Sequence, residues 1–370
     1  MDPQIRVRGG ASMLGRTMLM EFRKSWKGFS IFIIVVVVVS TGMAQLFPVI
    51  SEAFEDVDEL EGEGFIHIII EEELIHLSWK ENDTFVEYVI IEDSHPYMVT
   101  SREIDRTSLN RTYVSHTEEE ERYFGVIGIT QDSMEIPLGM TSTVEPRDPM
   151  EELMETPFYR MFTAGRSDVT FEEMEGFLSV ELYSWWILLV GIYLAYISVK
   201  SITEDFEERR MDVIFSTPLP RRQYLLEKFF SLSLFTLLML VLSGLFLMLS
   251  VRSVGEPGGT VFFISLVASW PMFTVIIAVS ILLAVMTKSS RIAVGVTFAF
   301  ILVQYSFFMA GHMLKSLEFA LPYTISYYWD YNSVLLDGAY KPVNFLILIL
   351  VTSILIAGAL YVFQNEDIPA

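Results

Sequence analysis

Six long apolar runs constrain what this chain can fold into. Each is close to the length of about 20 residues that a helix needs to cross a bilayer, and none has Asp, Glu, Lys or Arg in its interior. The runs are Phe29–Ile50, Tyr183–Val199, Phe229–Val251, Val261–Thr287, Ile292–Ala310 and Val343–Gln364. In lipid, an α-helix satisfies all its backbone hydrogen bonds within one segment. The sequence therefore predicts a polytopic α-helical membrane protein with six transmembrane helices.

The negative charge of the chain is concentrated in one segment. The formal net charge is −22. Residues 51–182 hold 33 acidic and 8 basic residues, whereas the rest of the chain holds 14 acidic and 17 basic residues. The acidic clusters at 71–73 and 118–121 lack the ligand spacing of a calcium loop, so a solvated acidic surface is favoured over a cation site. The acidity belongs to one polar domain between the first two spans.

The distribution of Lys and Arg predicts the orientation, because cytoplasmic loops carry an excess of these residues. Outside residues 51–182, 14 basic residues lie in the N-terminal arm and in the second and fourth loops, against 3 in the third and fifth loops. This predicts a multi-pass protein of the cell (plasma) membrane with both termini in the cytoplasm and the acidic domain outside. A cleaved signal peptide is the alternative for the first run, but its apolar stretch is long and lacks a clear A-x-A site.

The acidic segment, residues 51–182, has the patterns of a mixed domain. The β-branched and aromatic runs GFIHIII, LIHLSW, FVEYVII and RYFGVIGI predict strands. The run DPMEELMETPFYRMF is typical of a helix with an acidic first turn. We expect an α+β extracytoplasmic domain, with glycosylation sequons at Asn82 and Asn110.

Two further segments are predicted to lie at the membrane surface. Residues 1–28 place Leu14, Met18 and Phe22 on one helical arc with basic residues opposite, which predicts a cytoplasmic amphipathic helix in contact with membrane lipids. A water-exposed start of the first span is the alternative. Residues 311–342 contain seven aromatic residues, which predicts outer-leaflet aromatic helices or an ordinary aromatic belt. Residues 365–370 are the cytoplasmic tail.

Several chemistries are excluded by what the sequence lacks. It has no cysteine, so disulfides, thiolate metal sites and cysteine nucleophiles are ruled out. The five histidines show no HExxH spacing, and no GxxxxGK[ST] phosphate-binding loop occurs. The interiors of the predicted spans carry no ionisable residue that could relay a proton or an ion. We expect no catalytic, cofactor or metal site in this chain, so transport would need an energy source on another polypeptide.

Residues 200–228 form a dense charged loop between the second and third spans, predicted to be exposed because charges are costly in hydrocarbon. Met211, Ile214 and Phe215 fall on one face of a short helix that Pro218 and Pro220 end. A short helix with an apolar face and acidic residues before it suits a groove on a partner protein. A solvated loop with positive-inside bases is the alternative.

This loop, EDFEERRMDVIFSTPLPRRQYLLEK, resembles the signature loop of ATP-binding-cassette (ABC) type-2 permeases, whose pattern is roughly ExExGTLExLLSTPxSRxxILLGK. The matching positions are Asp205, Glu207, Asp212, Ser216, Thr217, Pro218, Arg221 and Lys228. Arg209 and Arg210 depart from the usual Gly-Thr, and Glu227 replaces a common Gly. The stretch TAGRSDVTFEEMEGFLSVELYSWWILLVGIYLA and the closing FQNEDIPA, which begins at Phe363, are similar to other parts of the same family.

The resemblance implies a function and partners. The chain would be the membrane-spanning permease subunit of an ABC transporter, an exporter like many members of the family. It would pair with a second permease subunit as a homo- or heterodimer, and two cytoplasmic ABC ATPase subunits, which hold the ATP and Mg, would bind it. No nucleic acid is involved. The residues expected to couple to the ATPase are Asp205, Glu207, Arg209, Arg210, Met211, Asp212, Ile214, Phe215 and Arg221.

The cargo is not specified by the sequence. Spans rich in Phe, Met and Leu suit a lipophilic or amphipathic cargo, but any transmembrane bundle is apolar. Possible pathway residues, chosen by type and depth, are Met239, Phe246, Phe298, Gln304, Tyr305 and Phe308. One rival function is a non-transport membrane sensor or signalling subunit whose outer domain binds a ligand. A second, an intramembrane enzyme, is disfavoured because the spans lack ionisable residues.

Overall fold

The computed structural model describes residues 26–51, 66–71, 74–79, 84–94, 98, 101–115, 122–143, 156–166, 168–171, 173–216 and 219–365. It divides into a helical unit, Met1–Ser51 with Thr156–Ala370, and a β unit, Glu52–Glu155. The expected amphipathic helix at residues 1–28 and the tail at residues 365–370 lie almost entirely outside the described residues.

The helical unit contains long helices joined by short helical segments. In chain order the α-helices are α1 (Trp26–Ser51), α2 (Pro157–Phe162), α3 (Met174–Leu178), α4 (Trp186–Glu207), α5 (Arg210–Phe215), α6 (Arg221–Ser253), α7 (Gly259–Ala268), α8 (Trp270–Thr287), α9 (Ser290–Met313), α10 (Tyr331–Leu335) and α11 (Pro342–Asn365). A π-helical turn at Ser179–Tyr183 joins α3 towards α4. Two 3₁₀ segments, Lys315–Tyr323 and Ser326–Tyr328, precede α10.

Among the described residues, six helical segments are long and apolar enough to cross a membrane, so the prediction of a polytopic helical membrane protein is confirmed. They are Trp26–Ser51, Met174–Glu207, Arg221–Ser253, Gly259–Thr287, Ser290–Met313 and Pro342–Asn365. Each contains most or all of one predicted apolar run and extends beyond it, because a helix continues through the polar residues at its ends. The second segment is the clearest case, since it begins at Met174, nine residues before the predicted run.

Helix α8 is the centre of the helical unit. It packs against α4, α6, α9 and α11, and the side chains of Phe273, Ile276 and Ile281 are fully buried. Its junction with α7 is a break within one span. Pro271 lies in the first turn of α8, and proline lacks the N–H that a continuous helix would use there.

The aromatic segment between α9 and α11 is folded into short helices. The two 3₁₀ segments pack against α9, and α10 packs against α7. Trp329 and Tyr331 are buried, and the Trp329 indole Nε1 donates a hydrogen bond of 3.0 Å to the Ser265 carbonyl. The segment is therefore an ordered part of the bundle.

The β unit contains two antiparallel sheets in its described part. The strands are β1 (Ile66–Glu71), β2 (Leu74–Trp79), β3 (Phe85–Asp93), β4 (Arg102–Thr107), β5 (Arg111–Ser115), β6 (Tyr123–Thr130) and β7 (Glu135–Ser142). One sheet has the order β1-β2-β5 and the other β4-β3-β6-β7. Alternate residues of β2, among them Ile75 and Leu77, are buried in one core with Ile90 and Phe124. The predicted strands correspond to β1, β2, β3 and β6.

Three strands were not predicted, for recognisable reasons. β4 and β5 are rich in charged and polar residues, and β7 contains Pro137. Proline is tolerated in a strand at the edge of a sheet, and β7 is one of the two edge strands of its sheet. The predicted helix DPMEELMETPFYRMF is described only in its last part, as α2, which belongs to the helical unit.

An ion-pair cluster links β3 to the start of β4 and to the residue before β6. The Glu92 carboxylate, which is buried, accepts hydrogen bonds from Arg102 and Arg122. Burial raises the pKa of Glu92, but the two guanidinium groups outweigh this effect and hold the pKa below its ordinary value. At one sequon, the Asn110 amide donates a hydrogen bond of 3.2 Å to the Trp79 carbonyl. The other sequon asparagine, Asn82, lies outside the described residues.

Candidate coupling site

The charged loop folds as a tight turn between α4 and α5. Arg209 precedes α5 and has a φ of 53° and a ψ of 27°, in the left-handed region. That region favours glycine, and glycine is the usual residue of the signature pattern at this position. The arginine thus adopts a backbone conformation that glycine would take more easily.

Asp205 is the centre of a buried polar network behind this turn. The sequence predicts Asp205 in an exposed loop, but the structure places it in the last turn of α4, where 5% of its surface is exposed. The Tyr224 hydroxyl donates a hydrogen bond of 2.7 Å to Asp205 Oδ2, and Lys228 Nζ lies 3.2 Å from the same oxygen. Lys228 also donates to the Ser201 carbonyl at 2.9 Å. The network therefore joins α4 to α6.

Arg210 extends the network to the protein surface. Its guanidinium lies 3.7 Å from Asp205 Oδ1 and also pairs with the Glu208 carboxylate. Arg210 is half exposed, whereas Asp205 is buried. One arginine therefore connects the start of α5 to the buried acid.

The apolar face of α5 packs within the chain. Met211 is 2% exposed, and Ile214 and Phe215 are half-buried against the helical core. The Phe215 ring lies 5.7 Å from Tyr224 and 6.0 Å from Phe363, measured between ring centroids. These three residues share a face as the sequence predicts, and this face contacts α6 and α11.

The opposite side of the turn is exposed. Its exposed residues are Glu207, Glu208, Arg209, Arg210, Asp212 and Ser216. Thr217 and Pro218 lie outside the described residues. A partner that docks on α5 would therefore meet charged and polar side chains rather than the apolar face.

Glu207 connects the turn to the next pair of spans. Its Oε1 accepts a hydrogen bond of 2.7 Å from the backbone N–H of Ser290, the first residue of α9. The first N–H groups of a helix lack partners within the helix, and a carboxylate also interacts favourably with the helix dipole at that end. Glu207 thus caps α9 from α4.

The start of α6 is tied to the end of α11. Arg221 Nη1 donates a hydrogen bond of 3.4 Å to the Gln364 carbonyl, and Arg222 Nη2 donates one of 3.0 Å to the Gln364 side chain. The Arg221 guanidinium also lies over the Phe215 ring, 5.9 Å from its centroid. Together with Glu207, these contacts bring the ends of α4, α6, α9 and α11 to one short helix.

Several residues of this site were not recognised as site residues from the sequence. They are Ser201, Tyr224, Lys228 and Phe363. Lys228 and Phe363 match the family pattern, and that match is the feature of the sequence that could have identified them as site residues. Glu227, which replaces a glycine of that pattern, is buried and accepts a hydrogen bond from Gln223.

The possible pathway residues fall on two helices with different neighbours. Met239, which is buried, and Phe246, which is exposed, lie on α6, which packs against α7 and α8. The other four lie on α9 and are Phe298, Gln304, Tyr305 and Phe308. Helix α9 packs against α4, α8 and the first 3₁₀ segment. Gln304 Oε1 accepts a hydrogen bond of 2.9 Å from the Ile325 N–H.

These features define a class, a multi-pass membrane protein whose spans converge on a charged helical turn. A family model described as ABC-2 family transporter protein matches residues 19–368. The chain therefore belongs to the ABC-2 family of transporter proteins, as the loop resemblance predicts. No curated protein matches the chain.

Two solved structures give weak similarities. A pectate lyase, Pel3, from Pectobacterium carotovorum is 11% identical, with a TM-score of 0.21, and the match covers 23% of this chain and 29% of that one. A beta-1,2-glucanase from Parabacteroides distasonis is 11% identical, with a TM-score of 0.20, over 62% of this chain and 36% of that one. The matches thus span about a third of the length of those proteins, and at these TM-scores they carry no argument.

Proposed function

We propose that this chain is the permease subunit of an ABC exporter, driven by a separate cytoplasmic ATPase that docks on residues 204–222. The sequence has no phosphate-binding loop of its own, so the energy must come from a partner. Export is the direction that the family resemblance implies. A second permease subunit and two ATPase copies complete the proposed transporter, with the β unit outside the cell.

The observation that carries the proposal is the buried network behind the turn. Asp205, Tyr224 and Lys228 bind α4 to α6 directly behind α5. A buried ion pair holds its geometry because either charge alone is strongly unfavourable in the interior. A push on α5 would therefore be passed to α4 and α6 as a rigid movement.

The aromatic cluster supplies a second route for the same movement. Phe363 on α11 contacts Phe206, Phe215 and Tyr224, with ring centroids 5.8 to 6.2 Å apart. Packed interiors resist small displacements because they contain few voids. Movement of α5 would thus reach the last span through ring contacts, while Glu207 would pass it to α9.

In this proposal the exposed charges of the turn contact the ATPase, and the apolar face anchors α5 to the bundle. Met211 is the buried anchor, and Ile214 and Phe215 are half-buried beside it. Asp212 and Arg209 are exposed on the opposite side. Charge complementarity at such a surface determines which partner is accepted.

The test is a charge reversal on the exposed side. Asp212→Lys should lower co-purification of the ATPase at least about tenfold, because a like-charge contact replaces an attractive one. The matched control is Glu318→Lys, the same change at an exposed position in the first 3₁₀ segment. Substituting Asp for Ile214 and Phe215 should also abolish ATPase binding. Because these side chains pack against the chain's own core, that loss would not by itself locate the docking surface. Undiminished co-purification by Asp212→Lys would contradict the proposed docking surface.

A further inference from the structure

A groove runs along the helical unit between α6 and α11. The two helices meet at the coupling site, where the rings of Tyr224 and Phe363 stack with their centroids 5.8 Å apart. Beyond this contact α6 forms one wall of the groove and α11 the other. Trp270 and Thr274 of α8, which packs against both helices, form its floor. All three helices belong to membrane-spanning segments, so the groove lies within the spans.

The two walls differ in the size of their side chains. On α6, Phe230 and Leu234 line the groove and are 58% and 47% exposed. On α11, the lining residues Ser353 and Ala357 are small and also exposed. Small residues facing large apolar ones leave a narrow apolar slot along the surface of the bundle.

Polar groups on the floor and the α11 wall are paired within the chain. The hydroxyls of Thr274 and Thr352 lie 3.0 Å apart. The Ser353 hydroxyl donates a hydrogen bond of 2.8 Å to the carbonyl one turn earlier in its own helix. The Trp270 indole Nε1 donates one of 3.1 Å to the Ser233 carbonyl. An occupant therefore needs no hydrogen-bonding groups inside the groove, and a polar one would lose its own partners there.

A cation lies where the groove ends at the coupling site. Arg222 comes one turn before Leu226, the first lining residue of α6, and residues four apart share a helix face. Its Nη2 donates a hydrogen bond of 3.0 Å to the side chain of Gln364, which lies one turn beyond the lining residue Leu360 of α11. Arg222 is exposed. A guanidinium has five N–H donors, of which this contact uses one, and its planar fork suits a phosphate group.

The length of the groove corresponds to one leaflet of a bilayer. From Arg222 to Leu237, the last lining residue of α6, the helix rises about 23 Å at 1.5 Å per residue. Half of a bilayer with its headgroups is about 20–22 Å thick. With Arg222 at the level of the headgroups, the far end of the groove reaches the centre of the bilayer.

A helix from a second copy of the chain is the other occupant that an apolar groove in a membrane could take. Helices in membranes associate through small residues that let their backbones approach closely. The α11 wall has such residues, but the α6 wall has Phe229, Phe230 and Leu234. A phospholipid fits better, because it supplies both an apolar chain for the slot and an anion for Arg222.

We propose that this groove binds an acyl chain of an anionic phospholipid from the leaflet on the side of the coupling site, with the lipid phosphate at Arg222. The bound lipid connects α6 to α11 along the depth of that leaflet. The inference requires only that the chain spans a membrane, so it stands independently of the proposed ATPase coupling.

The test uses the full-length chain in phosphatidylcholine vesicles that contain a trace of phosphatidylglycerol with a photoactivatable diazirine on its acyl chain. After illumination, mass spectrometry of peptides locates the label. We expect label on the lining residues of α6 and α11. Unlabelled phosphatidylglycerol should displace it, and extra phosphatidylcholine should displace it less.

Two variants test the two parts of the site. Ala357→Leu fills the slot and should remove the label from it, whereas the matched control Ala299→Leu makes the same change at an exposed position of α9. Arg222→Gln should lower the labelling about fivefold, the value of one basic residue near an anionic surface. Its control is Arg291→Gln, an exposed arginine in the first turn of α9 on the same side of the membrane. Both controls should leave the labelling of the groove unchanged.

Four results would overturn the proposal. They are label found only outside the groove, equal labelling by phosphatidylglycerol and phosphatidylcholine probes, and labelling unchanged by Arg222→Gln or by Ala357→Leu. If Ala357→Leu lowers the melting temperature, Ser353→Leu takes its place as the variant that fills the slot.

A cysteine variant tests the rival occupant. The chain has no cysteine, so Ala357→Cys introduces a single thiol into the groove. The proposal expects this variant to stay monomeric on oxidation in vesicles, because lipid covers the thiol. Formation of a disulfide-linked dimer would show that a second copy covers the groove, and would overturn the assignment to a lipid.

Discussion

The two ends of the helical unit each hold an aspartate paired with a lysine, and the two pairs differ in exposure. At the coupling site the side chains of Lys228 and Asp205 are 4% and 7% exposed. At the other end, between α9 and α11, the side chains of Lys341 and Asp330 are 61% and 32% exposed. The first pair is sealed between α4 and α6, whereas the second lies where water reaches the lysine.

The difference indicates two mechanical roles. A buried pair is costly to break because each partner would be left charged in a medium of low polarity. An exposed pair contributes little to stability because water and salt screen it. The coupling site is therefore built to keep one geometry, whereas the exposed pair contributes little to holding the other end in place.

The largest expected effect comes from breaking the buried pair. Lys228→Met removes the cation that lies 3.2 Å from Asp205 Oδ2, and should lower the free energy of unfolding by about 3 kcal/mol. The melting temperature in detergent and ATPase co-purification both measure the outcome. The matched control is Lys200→Met, since Lys200 forms a partly exposed pair with Glu204 at 3.3 Å, and its loss should cost less than about 1 kcal/mol.

A double variant separates stability from coupling. Asp205→Asn with Lys228→Met removes both charges and should recover much of the lost stability, because no buried charge remains unpaired. Coupling to the ATPase should stay impaired, because the rigid link between α4 and α6 is absent. Full recovery of ATPase activity in the double variant would refute a coupling role for the pair.

Lowering the pH should have a smaller effect on stability, through the carboxyl group of Asp330. Burial raises the pKa of Asp330, but hydrogen bonds from Lys341 and Ser333 outweigh it and lower the pKa below the ordinary value. The stabilisation is therefore present above about pH 4, the pKa of an unperturbed aspartate, and is lost as the pH falls through the lower folded value. The melting temperatures of the wild type and Asp330→Asn should differ at pH 6 and converge towards pH 3. A difference that widens on acidification would reverse the sign of this linkage.

The smallest effect tests two backbone positions with the same geometry. Arg209 at the coupling site and Ala164 just after α2 have φ values of 53° and 51°. Glycine relieves left-handed strain, so Arg209→Gly and Ala164→Gly should each raise stability by about 0.5–1 kcal/mol. Thermal unfolding measures this gain. Arg209→Gly alone should weaken ATPase co-purification, and an equal loss in Ala164→Gly would mean that backbone relief, rather than the arginine side chain, is responsible.

The elements of both units could be predicted where their patterns are local. The membrane helices follow from apolar runs that need no knowledge of neighbours. The strands β1, β2, β3 and β6 follow from β-branched and aromatic content. β4 and β5 escaped prediction because their charged residues are accommodated by pairing with other strands, and β-propensity depends on such context.

The position of the candidate site along the chain could be predicted from the sequence, but the contacts of its side chains could not. The loop and its short apolar face were identified from spacing, but the direction of that face depends on α6 and α11, which lie later in the chain. Asp205 was assigned to an exposed loop because charges are costly in lipid. Its burial requires Lys228 and Tyr224, and no local pattern in the sequence shows that they meet it.

The break between α7 and α8 has a consequence for how the fourth span can bend. The Ser269 hydroxyl at the junction accepts a hydrogen bond of 3.3 Å from the Trp186 indole Nε1, and it donates one to the Leu266 carbonyl. The fourth span thus consists of two helices that meet at Ser269, and Trp186 of the second span hydrogen-bonds to that residue. The break in the fourth span is therefore held by a hydrogen bond from the second span.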